Sequence, residues 1–148
     1  MNETDLQKVA QAWVTMHLAA EDSQTYDENF WSYEAVSEMC DSEPEQCLAV
    51  IELILSLSDD DKIVSNLAAG PVEDLLVKHG SLVIKPIIAS AKSHPLWKRM
   101  LGAVWKNDIQ DSVWLEVQAV AGANAVEASF LGPERKIALL QAVERYGW

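Results

Sequence analysis

Glu73, Asp74 and His79 bring two carboxylates and an imidazole into one short stretch, the groups that hydrolases use as general acids and bases. Their spacing argues against shared work. On a helix turning about 100° per residue, five or six positions carry His79 well away from the face of either acid. Helix electrostatics also accounts for each of them, with acids in a first turn and a histidine in a last turn ahead of Gly80. No G-x-S-x-G elbow, H-E-x-x-H pair or phosphate-cradling glycine loop accompanies them. A hydrolase centred on these three residues is an alternative. The expectation is a protein that is not an enzyme, with no catalytic residue, metal or cofactor.

The other chemistry-bearing residues read as structural. His17 lies on an apolar stripe and is expected to be a hydrogen-bonded core or boundary residue, while His94 precedes a proline and reads as a helix cap or loop residue. Cys40 and Cys47 match neither a C-x-x-C redox pair nor a zinc-ligand spacing, so they are expected to be reduced, packed thiols.

Charge is the strongest signal. The chain has 23 acids and 11 bases over 148 residues, a net charge of −12. Residues 1–61 hold 15 of the acids against Lys8 alone, a net −14, and residues 62–148 hold 10 bases and eight acids, a net +2. Such a balance argues against nucleic acid, whose phosphates select a basic patch. On a second helix read from about Asp27 to Cys40, the acids Asp27, Glu34, Glu38 and Asp41 fall within about 60° of one another, with Trp31 at one flank and Phe30 at the other. Tyr33, Val36, Met39 and Cys40 take the opposite, core-facing side. Like charges four and seven apart repel and no lysine relieves them, so a solvated face explains the stripe less well than a surface for a basic partner.

The elements that must carry these residues are helices almost throughout, because apolar residues recur at three and four and almost never alternate. Helix one opens on a Thr4/Gln7 capping box and runs to about Ala20; helix three starts at Ser42-x-Pro44-Glu45 and is apolar nearly all round, as in the middle of a bundle. Ser58 and three aspartates open a fourth helix ending at Ala69, Gly70-Pro71 punctuates, and Pro71 to His79 forms a short fifth closed by Gly80. A sixth covers about Ser81 to Lys92, with Pro86 as kink or delayed start; a seventh runs from Pro95 to near Trp105, an eighth from about Asp108 to Ala121, and a last one begins at Gly132-Pro133. Trp13, Trp105 and Trp114 fall on apolar stripes, whereas Trp31 and Trp148 are candidates for exposure. The fold class is all-α in one helical domain over residues 1–148, as stacked antiparallel helical hairpins of a HEAT-like solenoid or as a compact helical bundle. Hydrophobic residues make up 49% of the chain, enough for a core, and the longest apolar run, Leu48 to Leu57, is about half the ~20 residues of a membrane span. The acidic N-terminus has no secretory pattern, so the expected compartment is the cytoplasm.

Phe30-Trp31-Ser32-Tyr33-Glu34, Pro44-Glu45, the stretch Ala68-Ala69-Gly70-Pro71-Val72-Glu73-Asp74-Leu75-Leu76-Val77-Lys78-His79-Gly80, and His94-Pro95-Leu96-Trp97 leading to Val104-Trp105 resemble an uncharacterised family of small bacterial all-helical proteins. The resemblance covers about half the chain, from Phe30 to Trp105. It implies a helical domain and brings no activity. Small acidic helical proteins of this kind resemble the immunity proteins encoded beside bacterial toxins. The expectations are therefore an acidic toxin inhibitor that occludes the cationic surface of a cognate toxin domain, a nuclease among them, or a helical-repeat scaffold binding a peptide or regulatory protein. The expected partner is a basic protein, bound by a monomer, with no nucleic acid and no membrane.

Overall fold

The fold is all-α. The computed structural model describes residues 1–122, and no strand occurs among them. Trp148 and the helix expected from Gly132-Pro133 lie outside the described residues. The chain divides into two units, Met1–Asp74 and Leu75–Trp148.

The first unit contains α1 (Glu3–Leu18), α2 (Gln24–Asn29), α3 (Trp31–Ser42), α4 (Pro44–Leu57), α5 (Asp61–Leu67), a π-helical turn (Ala68–Val72) and the first residues of α6 (Glu73–Ser93). Here α1 packs against α2, α3, α4 and α5, which is bundle packing and not the layer-by-layer contact of a solenoid. Val9, Ala10, Trp13 and Met16 of α1 and Val50, Ile51 and Ile54 of α4 are buried, and burial of each large aliphatic side chain contributes about 1.5–3 kcal/mol. The helix expected to be apolar all round is one-sided, because Glu52, Ser56 and Leu57 of α4 are exposed.

Several local expectations give way to other hydrogen bonds. Asn2, not Thr4, caps α1, its Oδ1 accepting from the Asp5 N–H at 2.9 Å. Ser42 does not cap α4: its hydroxyl donates back to the Glu38 carbonyl at 3.0 Å, and Glu43 occupies the cap position without a side-chain bond. Asp60 caps α5 by accepting from the Lys62 N–H at 2.8 Å, while Ser58 accepts from the Asp60 N–H. Gly70-Pro71 does not end a helix. The proline sits inside the π-helical turn, which passes the chain from α5 into α6 without a break.

The second unit holds the remainder of α6, then α7 (Pro95–Leu101) and α8 (Asp111–Ala121), with α7 packed on α8. Helices expected over Pro71–His79 and Ser81–Lys92 are one element kinked at His79 (φ −134°, ψ 28°), and Pro86 lies inside its second part. Gly80 serves packing: a Cβ there would stand 3.0 Å from Val113 Cγ2. His94 caps α7, its Nδ1 accepting from the Leu96 N–H at 3.2 Å. Because α7 stops at Leu101, Trp105 falls in the irregular connection before α8 and is 49% exposed, contrary to its place on an apolar stripe; Trp13 and Trp114 are buried as expected.

Candidate functional site

The acids share an address. Met1–Asp74 contains 17 acids against Lys8 and Lys62, a net −15, and Leu75–Trp148 contains nine bases against six acids, a net +3. The structural boundary therefore falls close to the point where the charge changes sign.

Asp27, Phe30, Trp31, Glu34, Glu38 and Asp41 are all exposed. They do not occupy one continuous helix. The chain changes element at Phe30, between α2 and α3, so helical periodicity no longer fixes the bearing of Asp27. Glu34, Glu38 and Asp41 do share a face of α3 at i, i+4 and i+7, with Trp31 on its flank. Glu34 and Glu38 pair with no base among the described residues. Trp31 is 49% exposed, Phe30 37% and Tyr33 47%. The exposure of Tyr33 corrects its assignment to the core; the buried residues of α3 are Ser32, Val36, Met39 and Cys40.

Tyr33 is exposed because it belongs to an aromatic row. Phe30 stacks on Tyr33 with ring centroids 5.4 Å apart and lies 6.0 Å from Tyr26. Positions 26, 30 and 33 stand at i, i+4 and i+7, a spacing that carries the row from α2 into α3 despite the change of element. The row lines a cleft of about 350 Å³ with Met16, His17 and Ala19 from the end of α1, Glu21 from the following loop, and Lys62 and Asn66 from α5. His17 is half-buried, stacked on Trp13 at 3.6 Å, and its Nδ1–H donates to the Trp13 carbonyl at 2.8 Å. Burial holds its affinity for a proton below the ordinary value, the hydrogen bond opposes this, and Lys62 adds to it. With Nδ1 committed as donor, the neutral ring carries an acceptor lone pair on Nε2.

Cys40 and Cys47 are both buried and free, with Sγ atoms 2.9 Å apart across the contact of α3 with α4. The bond to Cys40, together with burial, pushes the Cys47 thiol well above its usual range. Cys40 also lines a small cavity of about 30 Å³ with Trp13, Tyr33, Ser37, Pro71 and Asp74. Glu73 and Asp74 end the first unit, whereas His79 lies in the second, in a cleft with Ser81, Leu82 and Gln110. No cluster of three potential metal ligands occurs among the described residues, and no helix there is long and apolar enough to cross a membrane.

A family model described as a family of unknown function, DUF6869, matches residues 19–125. No curated protein and no solved structure matches the chain.

Proposed function

The chain belongs to this family of unknown function, membership that supplies no activity, and from its surface we propose that it is a binding protein whose acidic face docks a basic protein partner. The observation that carries this reading is the pair Glu34 and Glu38 on one face of α3, without a base among the described residues, beside the exposed rings of Phe30 and Trp31 in a unit of net −15. Interfaces that must form quickly combine a field of one sign, which steers the encounter, with desolvated aromatic anchors, which slow dissociation. In its specific form the partner is the cationic domain of a bacterial toxin, a nuclease among the candidates, and the protein is its cytoplasmic immunity protein. The acids of α3 then occupy the groove made for phosphate.

The test is co-expression with the product of the neighbouring reading frame, followed by co-purification at low and high salt. A cognate complex is expected to form at low salt, to associate more slowly as salt rises, and to be lost when Glu34 and Glu38 are reversed to lysine, with His79→Ala without effect. Failure to rescue cells from the neighbouring gene product, with no salt-sensitive complex, would remove the toxin reading.

A further inference from the structure

We infer that the cleft bounded by Tyr26, Phe30 and Tyr33 is a recognition pocket for a guanidinium group, the side chain of an arginine presented by a basic partner. This rests on the reading that the first unit takes a basic partner, and it adds which side chain is gripped and where.

Ring geometry selects a flat cation. Phe30 lies 5.4 Å from Tyr33 and 6.0 Å from Tyr26, and all three rings line the cleft, so an occupant meets an aromatic wall longer than one side chain. A guanidinium is planar and weakly hydrated and stacks on such faces, whereas an ammonium is a compact, strongly hydrated point charge.

The polar atoms of the cleft supply what a guanidinium lacks. It has five N–H donors and no acceptor. Asn66 commits its Nδ2 to the Lys62 carbonyl at 2.7 Å, which leaves Oδ1 as an acceptor. His17 commits Nδ1 to the Trp13 carbonyl, which leaves the Nε2 lone pair. Glu21 adds a carboxylate at the cleft, and it forms no ion pair among the described residues. A volume of about 350 Å³ admits one long side chain.

Lys62 is the contrary charge in the lining, and burial lowers the proton affinity of His17 beside it. It makes the competing occupant an anion. An anion, however, would enter a unit with 17 acids and two bases, and the long exposed Lys62 side chain can turn away from an incoming cation.

The test titrates the full chain with N-acetylarginine amide and with the citrulline analogue, its neutral isostere, by calorimetry and by NMR of the aromatic side chains. Saturable binding of the arginine compound is expected to shift the signals of His17, Tyr26, Phe30 and Tyr33. The citrulline compound should bind about 10-fold more weakly, the difference between charge-assisted and neutral hydrogen bonds. Phe30→Ala with Tyr33→Ala should abolish binding, Tyr33→Phe should retain it, and Lys62→Met should strengthen it several-fold.

Equal binding of the two compounds, saturation without shifts at those four residues, or loss of binding in Lys62→Met with saturation by acetate would each overturn the assignment. Reversing Glu34 and Glu38 separates this inference from the broader reading. Arginine binding that survives in that variant, with no basic partner found for the native chain, sinks the docking face alone. A partner complex unaffected by Tyr26→Ala with Tyr33→Ala, which leaves Phe30 and Trp31 in place, sinks the pocket alone.

Discussion

Glu38→Lys should make the protein more stable while removing its proposed partner. Glu38 lies on the exposed face of α3 with Glu34 four residues before it and Asp41 three residues after. Each like-charge pair at these spacings costs about 0.2–0.5 kcal/mol, and each opposite pair contributes a similar amount. Reversing Glu38 turns two repulsions into two attractions, with the acid of the Glu34 pair N-terminal to the base, the better orientation. The change per pair is then about 0.4–1.0 kcal/mol, and a lysine in the last half of α3 also complements the helix dipole. A net gain of about 1–2 kcal/mol follows, raising the thermal midpoint by roughly 2–8 °C for a chain of this size. The assay is thermal and urea denaturation at low salt and in 1 M salt, where the Debye length of about 3 Å removes most of the gain. Glu45→Lys is the control with opposite sign, since Glu45 sits in the first turn of α4, where the dipole favours an acid. Loss of stability in Glu38→Lys, or a gain that persists at high salt, would refute the view that these acids are held against their mutual repulsion.

Other outcomes are as definite. Gly80→Ala places a Cβ 3.0 Å from Val113 Cγ2 and 3.3 Å from Cγ1, so overpacking of about 1–3 kcal/mol outweighs the helix-propensity gain of about 1 kcal/mol. Denaturant midpoints should show a net loss that disappears in a Val113→Ala background; an equal loss in both backgrounds would contradict the contact. Oxidised glutathione present while the chain refolds from urea, when the thiols are accessible, should link Cys40 and Cys47, whose Sγ atoms lie 2.9 Å apart in the fold, in a disulfide with release of two reduced glutathiones. Closing that short loop should raise stability by about 2.5 kcal/mol, read as a dithiothreitol-reversible rise in urea midpoint with a mass loss of two hydrogens; stable mixed adducts alone would count against it. His17, whose proton affinity is lowered in the fold, binds fewer protons folded than unfolded on acidification, so stability should fall as pH drops below 6.5. An NMR titration should find the imidazole midpoint below 6.5, and His17→Asn should flatten that part of the pH profile; a midpoint above 6.5 would reverse the sign.

Periodicity exposed the helices because most of them bury one face: Val9, Trp13 and Met16 repeat along α1, and Cys47, Val50, Ile51 and Ile54 along α4. It was blind where the backbone changes without changing the spacing. Phe30 keeps right-handed helical angles (φ −60°, ψ −28°) while ending α2 and preceding α3, so the pattern ran through it and made one stripe of acids that belong to two helices. Gly70-Pro71 misled in the other direction. Both are breakers in local terms, yet a π-helical turn accommodates the proline and the chain continues. Gly80 stood at a true discontinuity for a different reason than the one inferred, since its missing Cβ makes room for Val113 and its backbone is not left-handed. The aromatic row was present in the spacing of Tyr26, Phe30 and Tyr33. What hid it was the assignment of Tyr33 to the core, which the sequence could not refute until the turn at Phe30 was known.

The division of the chain at Asp74 changes what its charge means. A net −12 spread over one body would be an ordinary solubility term, but −15 within Met1–Asp74 is about one net charge for every five residues. Self-repulsion at that density opposes the compact state, and it is not offset locally, because Lys8 and Lys62 are the only bases in that unit's sequence. Dispersed around the unit, the acids would minimise this cost. Three of them, Glu34, Glu38 and Asp41, nevertheless share one face of α3, beside exposed rings that water does not favour. The electrostatic arrangement and the aromatic exposure each cost free energy in the isolated protein, and the proposed contact with a basic surface that covers the rings would offset both. Arginine has both properties in one side chain, a charge that answers the acids and a plane that answers Tyr26, Phe30 and Tyr33.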